Sequence, residues 1–311
     1  MVKPVSADTV ATGSASSPST EKKPRLQLPP WFKVHRRTDK GYQQVHAILN
    51  KEDLHSVCQS ASCPNIWECF NEGTATFMIL GDVCTRACRF CGINSGRPKE
   101  VDLDEPRRLA KAVAKLGLKQ VVITSVTRDD LPDGGASIFA ETARQLRARD
   151  PKVRIEFLIS DMNGNWDDIA TIINSGVDVL AHNVETVGRL TRQVRRGARH
   201  DRSLDVLRFI SDFTPRPVTK SGFMVGVGET LDEITELLHQ LYAAGVDIIT
   251  IGQYLQPSRA HMPVERYYTP EEFDQMAQLG RDIGFGHVES GPLVRSSYRA
   301  FDQAKTLLGQ S

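Results

Sequence analysis

From Thr76 onward, short runs of apolar, β-branched residues alternate with longer stretches whose apolar positions recur every three or four residues. The runs Thr76–Leu80, Gln120–Thr124, Val153–Ile159, Val177–Ala181, Val218–Val225 and Val246–Ile251 are largely continuous in apolar character, which predicts strands buried on both faces. Between and after them, Asp104–Lys115, Ser137–Arg149, Trp166–Asn174, Thr186–Gln193, Arg202–Phe213, Leu231–Ala244 and Pro270–Ile283 predict helices. The first opens on acidic residues and Pro106, the chemistry of a helix's first turn.

This alternation predicts an α/β fold with a parallel sheet, either covered on both faces or closed into a barrel. Six strand–helix units are fewer than the eight of a complete (β/α)8 barrel, so the expectation is a partial (β/α)6 barrel. A doubly wound open sheet competes, but no G-x-G-x-x-G follows the first run. Either architecture puts chemistry at the carboxyl ends of the strands. Here those ends carry the loop after Leu80, Thr124–Ser125, His182–Asn183, Gly226–Thr230 and Gln253–Tyr254.

Composition narrows the picture. The chain has 311 residues and a formal net charge of +1, which argues against global attraction to nucleic acid or an anionic membrane. No apolar run is long enough to span a bilayer. Residues 1–30 are dominated by Ser, Thr, Ala and Pro and read as a disordered arm. An organelle-targeting segment is the alternative, although the first 20 residues hold no Arg. All six cysteines fall in one short stretch, as Cys58, Cys63 and Cys69, then Cys84, Cys88 and Cys91. A chain this long needs no disulfide framework, and no apolar secretion segment precedes the cysteines. Reduced thiolates holding metal in a cytoplasmic compartment are therefore the economical expectation.

Cys84-Thr-Arg-Ala-Cys88-Arg-Phe-Cys91 is C-x3-C-x2-C. Zinc sites ordinarily take four ligands in paired knuckles, whereas three soft thiolates suit an iron–sulfur cluster with one iron left open. With Phe90 beside Cys91, the loop resembles the radical S-adenosylmethionine (SAM) superfamily. That resemblance implies a [4Fe–4S] cluster whose open iron chelates SAM and cleaves it to a 5′-deoxyadenosyl radical. It also implies SAM contacts at the strand tips, from Ser125, from Asn183 and Glu185, and from Gly226 and Gly228. On the residues alone, the glycines equally suit a turn and Asn183 a helix cap.

The upstream triple, C-x4-C-x5-C, is too widely spaced for a zinc knuckle. Together with GTATFMILGDVCTRACRFC, VVITSVTRDDLPDGGA, LAHNVETV, TKSGFMVGVGET, GQYLQPS and GPLVRSSYRA, it closely resembles the lipoyl synthase family from about Pro30 to Ala300. The resemblance implies a second [4Fe–4S] cluster on Cys58, Cys63 and Cys69, with a serine of Arg295-Ser296-Ser297-Tyr298 as fourth ligand. Ser297 is the expected ligand and Ser296 the alternative. It implies four segments: arm 1–30, N-terminal extension 31–75, partial barrel 76–285 and C-terminal extension 286–311. The implied reaction inserts two sulfur atoms at C6 and C8 of an octanoyl-lysine, the sulfur coming from the second cluster. Implied partners are octanoylated lipoyl carrier domains or the glycine cleavage H protein, an electron donor such as ferredoxin or flavodoxin, and an iron–sulfur carrier. Neither nucleic acid nor membrane is expected.

The basic run Arg192–Arg202 is a docking candidate for an acidic carrier domain, and a solvated turn is its plainer interpretation. A biotin-synthase-like sulfur insertion and a cluster-delivering carrier are the rival functions. The first lacks the upstream triple, and the second needs no cavity for SAM.

Overall fold

The computed structural model describes residues 26–34 and 37–309; the expected N-terminal arm lies, over residues 1–25, outside them. Seven strands form one parallel sheet: β1 Thr76–Ile79, β2 Gln120–Ser125, β3 Arg154–Leu158, β4 Val179–Ala181, β5 Val218–Val225, β6 Ile248–Gln253 and β7 His287–Gly291. They lie in chain order, each paired in parallel with the next. A doubly wound sheet reverses its order at a switch point, and this one never does. Met78, Thr124, Leu158, Gly222 and Thr250, from five of these strands, line one cavity, so the sheet curls into a barrel.

Each gap between successive strands from β1 to β7 carries a crossover helix: α1 Glu105–Leu116, α2 Ala136–Arg149, α3 Trp166–Asn174, α4 His200–Asp212, α5 Leu231–Ala243 and α6 Pro270–Ile283. Local chemistry fixes their ends. Thr230 with Glu233 and Thr269 with Glu272 form capping boxes at the starts of α5 and α6. α1 and α6 stop on left-handed Gly117 and Gly284.

Two departures from the sequence pattern have clear causes. β7, HVESG, is polar and half-buried, so it carries no apolar signal. The expected helix Thr186–Gln193 is a 3-10 turn, Gly188–Leu190, followed by one short helix, Thr191–Val194. Glu185, bridged to Phe223 and at φ +66°, makes a tight turn there, with the Thr186 amide donating to the Val184 carbonyl at 2.9 Å, and a helix cannot start through it.

The barrel is not closed by strand pairing. His55–Ser56 adds antiparallel to the outer edge of β1, β7 is the other edge, and the two edges do not meet. A last helix, Ala300–Leu308, fills the base. Its Ala304 packs with Val179 and Ile248, and Arg154 lies over the Phe301 ring.

Deep in the barrel, Lys220 Nζ meets Glu156 Oε1 at 2.5 Å with both side chains essentially inaccessible, and Gln120 donates to the other carboxylate oxygen. Removing one member strands a buried charge. Lys220→Met is therefore expected to lower unfolding stability by about 3–5 kcal/mol, read from the urea midpoint of the apoprotein. The Lys220→Met/Glu156→Leu double variant should recover most of that loss.

Candidate active site

A cavity of about 500 Å³ opens at the carboxyl ends of the strands. Both cysteine groups reach it. Cys84, Cys88 and Cys91 line it from one side, and Cys58, Cys63, Ser296 and Ser297 from another. Cys69 is not on its surface but lies close enough to Cys58 and Cys63 to feel their charge. All six thiols are free.

The second triple sits on a loop that the fold ties down at many points. After β1 the chain turns through Leu80 and Gly81, both with positive φ, and pairs Val83–Cys84 with Asn94–Ser95. The amides of Arg86 and Thr127 point at Cys84 Sγ, at 3.4 and 3.3 Å. Arg86, between two of the cysteines, binds Asp129 in two-pronged fashion at 2.7 and 2.8 Å. It also reaches the fully buried Asp161 at 2.8 Å. His261 Nε2 lies 2.9 Å from the Cys91 carbonyl. Burial pushes the Cys91 thiol up to about 12 and raises that of Cys88.

Opposite this loop, Asn183 Nδ2 donates to Glu185 Oε1 at 3.1 Å, while Asn183 Oδ1 is buried without a partner. Burial raises the Glu185 carboxyl, and Arg195 opposes that rise. Arg195 itself is buried and lines the cavity, donating to the Val184 carbonyl at 3.2 Å and Ser203 Oγ at 2.9 Å. Asn183, Glu185 and Arg195 thus offer an acceptor, a carboxylate and a guanidinium in one wall, a set suited to a zwitterionic amino acid. Ser125, last residue of β2, also lines the cavity.

Gly226 and Gly228 stand apart from the cavity lining. Their loop binds its own carboxylate: Glu229 accepts from the amides of Gly226 at 2.6 Å and Val227 at 3.0 Å, and Tyr268 OH donates to it at 2.8 Å. Positive φ at both glycines makes them turn residues here.

The upstream triple lies against the open edge of the barrel, where the C-terminal segment meets it. Thr76 Oγ1 donates to Ser297 Oγ at 2.7 Å across 221 residues of sequence. Asn65 Nδ2 donates to the Leu293 carbonyl at 2.7 Å, and Glu68 receives Tyr298 OH at 3.0 Å and Arg299 at 3.3 Å. The half-buried Arg295 lies in the field of Cys63. Burial pushes the Cys58 thiol up to about 11 and that of Cys69 to about 12.

The residues fit a pair of iron–sulfur clusters. Burial raises Cys58, Cys69, Cys88 and Cys91, so these thiols stay protonated unless a strongly charged centre binds them, and no disulfide links any of the six. Among the described residues no three His, Cys, Asp or Glu side chains converge on a single ion. A four-iron cube does not ask for that, since each of its thiolates binds a separate iron.

Sequence pattern alone hid two of these residues. Arg195 sits inside a basic run that looks like surface, and Arg86 is an unremarked spacer between cysteines. In the first case burial of Val194 beside it is the only local hint.

The Radical SAM superfamily model matches residues 78–241, more than half of the chain, which therefore belongs to that superfamily. The fold agrees: Streptococcus suis SuiB bound to its precursor peptide superposes with a TM-score of 0.52 at 12% identity, covering 80% of this chain and 52% of that one. HydG, a maturase of the [FeFe]-hydrogenase, gives 0.51 at 12% identity, covering 80% and 67%. Within the superfamily the chain belongs to the lipoyl synthase family. It is 51% identical over 287 residues to a lipoyl synthase of Symbiobacterium thermophilum, covering 92% of this chain and 90% of the relative. It is 50% identical to one of Bacillus subtilis, covering 91% and 95%. Membership of the superfamily brings a [4Fe–4S] cluster and SAM. No helix among the described residues is long and apolar enough to cross a membrane.

Proposed function

We propose that this protein inserts two sulfur atoms, at C6 and C8, into an octanoyl chain amide-linked to a lysine of a carrier protein, giving the lipoyl group. The observation that carries this reading is that two separate cysteine groups, each short of a fourth ligand, face one cavity. Cys84, Cys88 and Cys91 would hold a cluster that binds and reductively cleaves SAM, and Cys58, Cys63, Cys69 and Ser297 a second that supplies sulfur.

The chain's own residues do the rest. Unactivated alkyl C–H bonds give acid–base or nucleophilic groups nothing to act on, and no such dyad stands among the cavity residues. Instead Met78, Val122, Leu158, Met224 and Val294 give the cavity that both cysteine groups line an apolar surface, suited to an alkyl chain and to excluding water. Arg195, Asn183 and Glu185 orient the amino-acid portion of SAM, while Ser125 adds a hydroxyl from β2. The hydroxyl pair Thr76–Ser297 favours Ser297 over Ser296 as the ligand, because Thr76 also hydrogen-bonds Cys58. A cytoplasmic setting belongs to this reading, with ferredoxin or flavodoxin as electron donor and an iron–sulfur carrier to rebuild the consumed cluster; the free thiols support a reducing compartment.

Anaerobic reconstitution tests the proposal, with iron, 5′-deoxyadenosine and thiolated product quantified on an octanoyl-lysyl peptide. About eight irons per chain and a 6,8-dithiolated product are expected. Deoxyadenosine without thiolated product would sink it. Arg195→Gln is expected to keep full iron content but weaken SAM binding about tenfold or more by equilibrium dialysis.

A further inference from the structure

We propose that four unpaired arginines around the cavity mouth, Arg89, Arg192, Arg196 and Arg259, form the docking surface for an acidic face of the protein that carries the acyl-lysine. The inference rests on the proposed function and adds the surface that recognises its substrate.

The four lie on three loops that the backbone knits together. The Arg89 amide donates to the Val194 carbonyl at 2.9 Å, and the Met262 amide donates to the Arg89 carbonyl at 3.1 Å. Arg192 and Arg196 flank Val194, and Arg259 precedes Met262 by three residues. Phe90 and Arg195, next to Arg89 and Arg196 along the chain, and Pro257, two residues before Arg259, line the cavity. The charges therefore lie on the loops that border the cavity faced by both cysteine groups.

All four side chains are exposed, and none forms an ion pair among the described residues. Other exposed arginines hold carboxylates, as Arg107 does Asp104, Arg144 Glu141, Arg208 Asp205 and Arg216 Asp247. Arg37, Arg97 and Arg149 are exposed and form no ion pair among the described residues either, but no residue within two positions of them lines the cavity. The basic run expected to dock a carrier divides in the structure. Arg195 turns inward to the cavity, Arg199 is held by Asp201, and Arg202 reaches Asp161 at 3.3 Å. What remains of it joins Arg89 and Arg259 from distant loops.

In a chain of net charge +1, four uncompensated cations at one opening are a local device. Patches of this kind steer association with an oppositely charged partner and are screened within about 10 Å at 0.1 M salt. A polyanionic nucleic acid would want aromatic stacking between the charges, whereas Phe90, beside Arg89, packs against the hydrophobic core.

The test compares two substrates of the reconstituted holoenzyme, an octanoylated carrier domain and an octanoyl-lysyl tripeptide. Raising NaCl from about 50 to about 300 mM is expected to raise KM for the domain severalfold and leave the tripeptide unaffected. The triple variant Arg192→Glu/Arg196→Glu/Arg259→Glu is expected to raise KM for the domain about tenfold or more, with kcat and tripeptide turnover unchanged. Equal effects on both substrates, or none on the domain, would overturn the docking surface. So would an unchanged domain KM with lost affinity for a single-stranded oligonucleotide, which would reassign the patch. A wild-type enzyme that thiolates neither substrate would instead overturn the proposed function.

Discussion

Cys58→Ala is expected to abolish thiolated product while leaving SAM cleavage near the wild-type rate, and Cys84→Ala to abolish both. The asymmetry follows from where the two residues sit. Cys84 belongs to the loop that receives the Arg86 and Thr127 amides and is locked by Asp129 and Asp161, all on strand tips of the barrel. Cys58 lies just after the edge strand His55–Ser56, in contact with Thr76. None of the hydrogen bonds and ion pairs that hold the first set involves a residue of the upstream loop. Substituting Cys58 by Ala deletes one sulfur from a largely apolar environment, so the fold should survive with a loss of order 1 kcal/mol. Quantifying deoxyadenosine and thiolated product from the same anaerobic reaction checks both halves. Loss of deoxyadenosine in Cys58→Ala would show that the two groups are not independent.

How much of this was legible in the sequence depends on the range of each interaction. The strands and helices announce themselves because period and capping are local: Thr230 and Glu233 are three residues apart. The cysteine loops are equally local, since ligands on one loop must be neighbours. Closure of the barrel is the opposite case. It depends on Thr76 meeting Ser297 and Asn65 meeting the Leu293 carbonyl, contacts 221 and 228 residues apart. Only the resemblance to a family linked those ends beforehand. β7 escaped because a strand facing half-buried polar surroundings needs no apolar run. Arg195 escaped because charge is read along the chain, whereas burial is set by what folds over it. The docking arginines come from three loops for the same reason.

One glycine shows what that long-range closure demands. A Cβ on Gly252, near the end of β6, would stand 2.2 Å from the Val294 carbonyl oxygen and 3.2 Å from its carbon. The backbone of the C-terminal segment passes there on its way from β7 to Arg295, Ser296 and Ser297. Those atoms belong to main chain, held by the Val294 amide's bond to the Gly291 carbonyl, so no flexible side chain can swing aside. Gly252→Ala must therefore push the segment off β6. Once displaced, Arg295 leaves its half-buried position near Cys63, and Ser297 moves off Thr76. The superfamily loop is anchored on β1, β2 and the loops after β3 and β6, and does not feel this shift directly. Gly252→Ala is therefore expected to drop reconstituted iron from about eight toward about four per chain. Thiolated product should fall at least tenfold, with deoxyadenosine formation retained and the circular dichroism spectrum unchanged. Full iron and full product in this variant would mean that the C-terminal segment need not lie against β6 to complete the second site.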